Sequence, residues 1–355
     1  MNSRFADLHD HRRWVFRSHR ATGLRTRMSK IQSLFALLIW LVCRSGYADG
    51  KSNLILVTID TLRADRLSCY GYSRIQTPNI DALAAQGARF ASVVAQVPLT
   101  LPSHCSILTG TYPMFHQVRD NVGYRLDASK NTLAEVLKAQ GYRTAAFVGA
   151  YVLSAKFGLN QGFDFYDDDF GKPARAGGIV NLNQLERPAA EVIRRAVQWI
   201  ENKSNSPFFA WIHLYDPHDP YDPPAAFKAR FAGRPYDGEV AYVDQQIGRL
   251  VEFLRSKDLY DDTVIALTSD HGESFGEHGE FTHGYFVYDS TLLVPLIIKA
   301  AGNSFKNVIV RPQVRTVDLM PTVLQMLGVA APAGLQGLSM LELIAGRSGG
   351  WPAEA

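Results

Sequence analysis

The sequence predicts an α/β fold in which a mostly parallel sheet is covered by helices on both faces. Short runs rich in β-branched and aromatic residues alternate with amphipathic stretches. Several of those stretches open on a proline, which the first helical turn tolerates because its missing N–H would go unsatisfied there anyway. In chain order, the first strand is Leu54 to Ile59, followed by helices over Pro78 to Gln86, Pro102 to Leu108 and Thr132 to Ala139. Strand Thr144 to Val148 precedes a helix from Pro188 to Glu201, and strand Phe208 to His213 precedes a helix from Glu239 to Arg255. Strands Val264 to Thr268 and Pro295 to Lys299 lead to a last helix, Asp318 to Met326. Two Gly/Pro/Asp-rich stretches, Asp167 to Gly178 and Asp216 to Pro224, interrupt the alternation and read as loops over a site.

The 355 residues are 46% hydrophobic and 20% charged, enough ordinary globular chain for one large core rather than a disordered segment. Much of the basic excess behind the formal charge of +3 sits in Arg12, Arg13, Arg17, Arg20, Arg25, Arg27 and Lys30. The remainder is near neutral, and nothing in it points to nucleic acid. Those basic residues lead into the apolar run Ile31 to Cys43 and then Ser45-Gly46-Tyr47-Ala48, small residues suited to signal peptidase. The run is 13 residues, short of the roughly 20 that span a bilayer. Residues 1–48 are therefore read as a secretory signal, with Met28 as an alternative start, and the protein as exported to the periplasm or the medium. An uncleaved anchor, bringing the protein close to a membrane, is the other reading. One catalytic domain is expected over 49–345, with 346–355 as a tail. Cys69 and Cys105 are read as buried or inert thiols, with a single disulfide between them as the alternative.

Open α/β sheets bind ligands in the crevice beyond the carboxyl ends of their strands. Two strands deliver acidic groups there: Val57-Thr58-Ile59-Asp60, and Leu267-Thr268-Ser269-Asp270-His271-Gly272-Glu273. Two carboxylates and an imidazole converging from strand ends make a divalent-metal site. Either aspartate alone would read as a cap of the segment that follows. Thr100 stands just ahead of the helix predicted from Pro102, where backbone N–H groups and the helix dipole favour an anion. A hydroxyl beside a metal can ionise and attack phosphorus or sulfur; the plain alternative is an N-cap. His218 lies between Pro217 and Pro220 in a stiff loop after a strand, and an imidazole can donate a proton near neutral pH. A loop histidine bonded to backbone reads equally well from those residues alone. Arg63 is expected to pair with carboxylates behind the first strand, Trp199, Trp211 and Phe208-Phe209 to fill the core, and Asp167-Asp168-Asp169 to form a solvated turn.

As an ordered set the motifs resemble the sulfatase family of the alkaline phosphatase superfamily. The resemblance rests on Asn53 to Asp60 with Arg63 and Asp65, on Thr77-Pro78-Asn79-Ile80-Asp81, and on Thr100-Leu101-Pro102-Ser103-His104 with Leu108-Thr109-Gly110. Further matches are Ser269-Asp270-His271-Gly272-Glu273, Gly276-Glu277-His278-Gly279, Val294-Pro295-Leu296-Ile297 and Pro321-Thr322. It implies an alkaline-phosphatase-like three-layer α/β/α sandwich. It also implies one divalent metal ion (zinc, manganese or calcium) held by Asp60, Thr100, Asp270 and His271. By the same resemblance His218 and His283 contact the transferred group or protonate the leaving oxygen, and His104 contacts substrate. His213 and His278 are expected to be structural.

One departure decides the chemistry expected. Sulfatases carry Cys or Ser at the first position of C-x-P-x-R, oxidised to formylglycine; here Thr100 holds that position and His104 the arginine's. Threonine cannot become that aldehyde, and neither Cys69 nor Cys105 has a proline two residues on. Threonine nucleophiles are typical of superfamily members acting on phosphate esters, including phosphoethanolamine transferases, which Ser269 to Ser274 with Thr282-His283-Gly284 resemble. The expected function is thus a hydrolase or transferase of phosphate or sulfate esters, small or linked to a glycan or lipid, with phosphoesters favoured. A sulfate-ester hydrolase without formylglycine and an inactive binding protein on the same fold are the alternatives. The chain stops soon after Gly337 to Glu342, where relatives continue into a small sheet, so a truncated or minimal catalytic core is expected.

Overall fold

A computed structural model describes residues 51–171, 185–202 and 206–352; the segment read as a secretory signal and much of the loop Asp167 to Gly178 lie outside them. The described strands are β1 (Asn53–Ile59), β2 (Ala88–Phe90), β3 (Val93–Val94), β4 (Arg143–Val148), β5 (Phe165–Asp167), β6 (Phe208–Leu214), β7 (Thr263–Ser269), β8 (Ser274–Phe275), β9 (Phe281–Thr282), β10 (Leu296–Lys299), β11 (Val308–Val310) and β12 (Val314–Arg315). Eight form one sheet in the order β11-β2-β10-β7-β1-β6-β4-β5. Its pairs are parallel except those of β10, which runs antiparallel to β7 and β2. The predicted α/β class is therefore what forms.

Every residue of β1, β6 and β7 is buried, because helices cover both faces of the sheet and leave no solvent side for polar residues. Alternate side chains feed two cores. Leu54, Leu56, Phe209, Trp211, Val264 and Ala266 pack with the helices Thr100–Thr109, Leu133–Ala139 and Leu319–Met326. Ile55, Val57, Ile59, Ala210, Ile212 and Leu267 pack with Pro78–Ala85, Ala189–Glu201 and Pro235–Ser256 on the other face. These are the three layers the resemblance implies. No helix among the described residues is long and apolar enough to cross a membrane.

The five predicted strands and six predicted helices all form, with shifted ends. The helix read from Glu239 starts at Pro235, and the one read from Pro102 starts at Thr100. The remaining strands hold two or three residues each, too few for a pattern to register. Asp167 corrects the expectation of a solvated turn: it ends β5, is buried, and pairs with Arg187 at 2.9 Å and Arg195 at 3.2 Å. Both described cysteines are free, so the disulfide alternative falls. Arg63 pairs with Asp65 and Glu277 and donates to the Glu273 carbonyl, tying the end of β1 to the loop after β7.

Candidate active site

Register builds the site. β1 lies between β6 and β7 with Ile59 opposite both Leu214 and Ser269, so the next residues on β1 and β7, Asp60 and Asp270, emerge side by side. His271 follows, and its Nδ1 donates to the Gly272 carbonyl at 3.0 Å, which leaves the Nε2 lone pair facing inward. That atom lies 3.4 Å from Asp270 Oδ2 and 3.7 Å from Asp60 Oδ1. Thr100 Oγ1 joins them, 3.3 Å from His271 Nε2.

Thr100 is the first residue of its helix; Leu99 is the N-cap, and the hydroxyl makes no capping bond, so the N-cap alternative does not describe it. The neighbouring amides do not form the expected anion cradle either. Leu101 N–H donates to Asn121 Oδ1 at 2.8 Å, Pro102 has none, and Ser103 N–H donates to the Leu99 carbonyl. Thr100 is almost fully buried, as are Asp60, Asp270 and His271.

Both Asp60 oxygens and Asp270 Oδ2 are buried without a hydrogen-bond partner. Buried carboxylate oxygens left this way are costly unless a cation meets them. The ligand atoms of Asp60, Asp270 and His271 lie within 4.8 Å of one another, and the hard-oxygen and imidazole donor set fits a divalent ion. The electrostatics agree. Burial alone would raise the Asp60 carboxyl, but the imidazoles of His213, His218 and His271 hold it well below the usual range. Burial and the adjoining Asp60 push Asp270 well above it, and burial and His283 keep His271 neutral, the form that ligates.

Two imidazoles lead away from this cluster. The His283 ring lies tilted against His271 with centroids 4.3 Å apart, and His218 meets His283 edge-on at 5.3 Å. His283 Nδ1 lies 3.1 Å from Glu273 Oε1, and although burial lowers a histidine, this carboxylate raises the ring above its ordinary value. His218 Nδ1 is held by Tyr215 Oη and the Asp219 carbonyl, and its backbone N–H donates to Glu239. The expected loop Asp216 to Pro224 therefore does bring His218 to the cluster.

Two histidines sit differently from the sequence reading. His104, expected to touch substrate, is fully buried beneath Thr100, with Nδ1 on the Thr100 carbonyl at 2.7 Å and Nε2 on Thr58 Oγ1 at 2.9 Å; both ring nitrogens are occupied inside the protein. Burial, and the neighbouring His213 ring, push it down to about 3. His213, set aside as structural, points Nε2 at Asp60 Oδ2 from 3.5 Å, while Nδ1 accepts from the Gly149 N–H. A neutral ring accepting at Nδ1 carries its proton on Nε2, so His213 supports Asp60 rather than ligating a metal. Glu273 was also missed as a site residue; its place in Ser-Asp-His-Gly-Glu was the available signal. His278 is exposed and stacks on Tyr288, apart from the site.

Comparison with known proteins matches the Sulfatase family over residues 52–329. An arylsulfatase of Clostridium perfringens is 24% identical over 85% of this chain and 80% of its own length. An ulvan-active sulfatase of Formosa agariphila is 27% identical over 83% of this chain and 65% of its own. Among solved structures, the phosphonate monoester hydrolase of Agrobacterium radiobacter superposes with a TM-score of 0.73 at 23% identity, covering 85% of this chain and 79% of that one.

Proposed function

This chain belongs to the sulfatase family of ester hydrolases, and on that premise we propose that it acts on phosphate or sulfate esters through Thr100, with phosphoesters preferred. One observation carries the reading: the Thr100 hydroxyl stands 3.3 Å from His271 Nε2, where three unpartnered oxygens of Asp60 and Asp270 converge. Asp60, Asp270, His271 and Thr100 would hold one divalent ion, whose charge favours the ionised hydroxyl and the anionic group being transferred.

In this mechanism Thr100 Oγ1, its proton released to solvent, forms a bond to phosphorus or sulfur as the ester's bridging bond breaks in line with it. The leaving alkoxide takes a proton from His283, which Glu273 orients, or from His218 beside it. Water then cleaves the ester on Thr100 and restores the hydroxyl; an acceptor alcohol in its place would make the reaction a transfer. The preference for phosphoesters follows from the residue itself, since threonine cannot supply the aldehyde hydrate used on sulfate esters. The relatives named as an arylsulfatase, an ulvan-active sulfatase and a phosphonate monoester hydrolase support an ester substrate, small or glycan-linked. We also infer export, on the basic and apolar pattern of residues 12–48.

Parallel assays with an aryl phosphate, a phosphodiester and an aryl sulfate test the reading, together with Thr100→Ala and Thr100→Ser. The expected result is turnover of a phosphoester that Thr100→Ala abolishes at unchanged folding and Thr100→Ser retains in part. Turnover surviving in Thr100→Ala overturns the nucleophile, and a sulfate-only activity overturns the preference.

A further inference from the structure

We propose that His104 is a positioning residue for Thr100, fixed by a buried relay running from Trp211 through Thr58 and His104 to the Thr100 carbonyl; this rests on Thr100 being the nucleophile. The direction of each bond follows from its ends. The Trp211 indole is a donor only, so at 3.0 Å it donates to Thr58 Oγ1. A carbonyl is an acceptor only, so at 2.7 Å the Thr100 oxygen takes the proton of His104 Nδ1. The neutral ring then offers a lone pair at Nε2, and the Thr58 hydroxyl donates to it at 2.9 Å. Each proton is used once.

Thr58, His104 and Trp211 are fully buried, and they come from β1, the nucleophile's helix and β6. The rings of His104 and Trp211 also contact, with centroids 5.4 Å apart. The first turn of a helix is its least constrained part, because its amides lack intrahelical partners. Here the sheet grips that turn from below through one side chain. A fixed Thr100 carbonyl fixes the peptide plane beside the nucleophile, and with it the direction of Oγ1 towards His271. Such control matters because a displacement of about 1 Å at a reacting group can lower turnover by on the order of 10²-fold.

The test compares His104→Asn with His104→Gln in the full chain. Asparagine sets an amide N–H near the former Nδ1 and keeps the bond to Thr100; glutamine reaches towards Thr58 and loses it. Expected is a kcat within a few-fold of wild type for His104→Asn. For His104→Gln the expected kcat is on the order of 10²-fold lower at unchanged KM. A residue that merely fills space would be served better by glutamine, the closer in volume, so equal activity or the reverse order overturns the proposal. Nitrogen-detected NMR of the wild type reads the His104 tautomer without any substrate: Nδ1–H is required, and Nε2–H overturns the relay. Should the variants not fold, Trp211→Phe removes the indole donor along with part of the buried ring, and a kcat unchanged by it also overturns the relay. Failure of the nucleophile reading looks different, as activity retained in Thr100→Ala.

Discussion

Replacing Asp60 with asparagine separates a cation site from an acidic pair that is merely buried. Asp60 and Asp270 are fully buried, and three of their four carboxylate oxygens lack a partner. A buried charge deprived of its partner costs about 3–5 kcal/mol; without a cation that strain falls on Asp270, which burial and the Asp60 charge push above the usual range, and Asp60→Asn partly removes it. A cation at one hundred times its Kd contributes about 2.7 kcal/mol. In a domain of this size each kcal/mol moves Tm by roughly 2 °C, so zinc, manganese or calcium at saturation should raise the wild-type midpoint by about 5 °C over chelated protein. Asp60→Asn should lose that rise, and its chelated midpoint should equal or exceed that of chelated wild type. Thermal unfolding in chelator and with each ion measures both. A wild-type midpoint indifferent to all three ions, or an Asp60→Asn protein less stable than chelated wild type, refutes the reasoning.

Two further outcomes follow from the same geometry. Gly272 donates to the Thr291 carbonyl at 2.8 Å, and a β-carbon there would collide with the Ser290 carbonyl. Gly272→Ala should therefore lower Tm by the equivalent of roughly 1–3 kcal/mol and shrink the cation-induced rise, since Asp270 and His271 must shift; unchanged midpoints would refute it. Glu239 accepts from the His218 and Asp222 amides, yet burial, with Asp216 and Glu186 nearby, pushes its carboxyl up to about 8. The folded chain then binds more protons than the unfolded chain between the ordinary carboxylate pKa, roughly 4.3, and about 8, so stability falls as pH rises through that window. Glu239→Gln, which keeps only one of the two accepting oxygens but removes the titration, should flatten the decline in a series of melts from acid to pH 8; an unaltered slope counts against it.

Much of this was legible in the sequence because its signals are local. Continuous apolar runs marked β1, β6 and β7, and since those strands pair in parallel with their ends level, the acidic residues following two of them meet without any long-range information. The Thr100 motif and the Asp270-His271 pair were visible for the same reason. Histidine roles were not, because an imidazole's task depends on what faces each of its two nitrogens, and sequence does not state that. His104 looks like a substrate contact by motif position, but a threonine on one strand and a backbone carbonyl occupy both its nitrogens. His213 looks like one more core residue of β6 until register sets it across from Thr58, beside Asp60. Glu273 gains its role only when the chain folds back ten residues to bring His283 against it. Patterns a few residues long were enough to specify the sheet, its helices and the acidic strand ends. Tertiary packing alone decided which buried polar atoms find partners, and so which histidines have both ring nitrogens taken up inside the protein and which line up beside the acidic cluster.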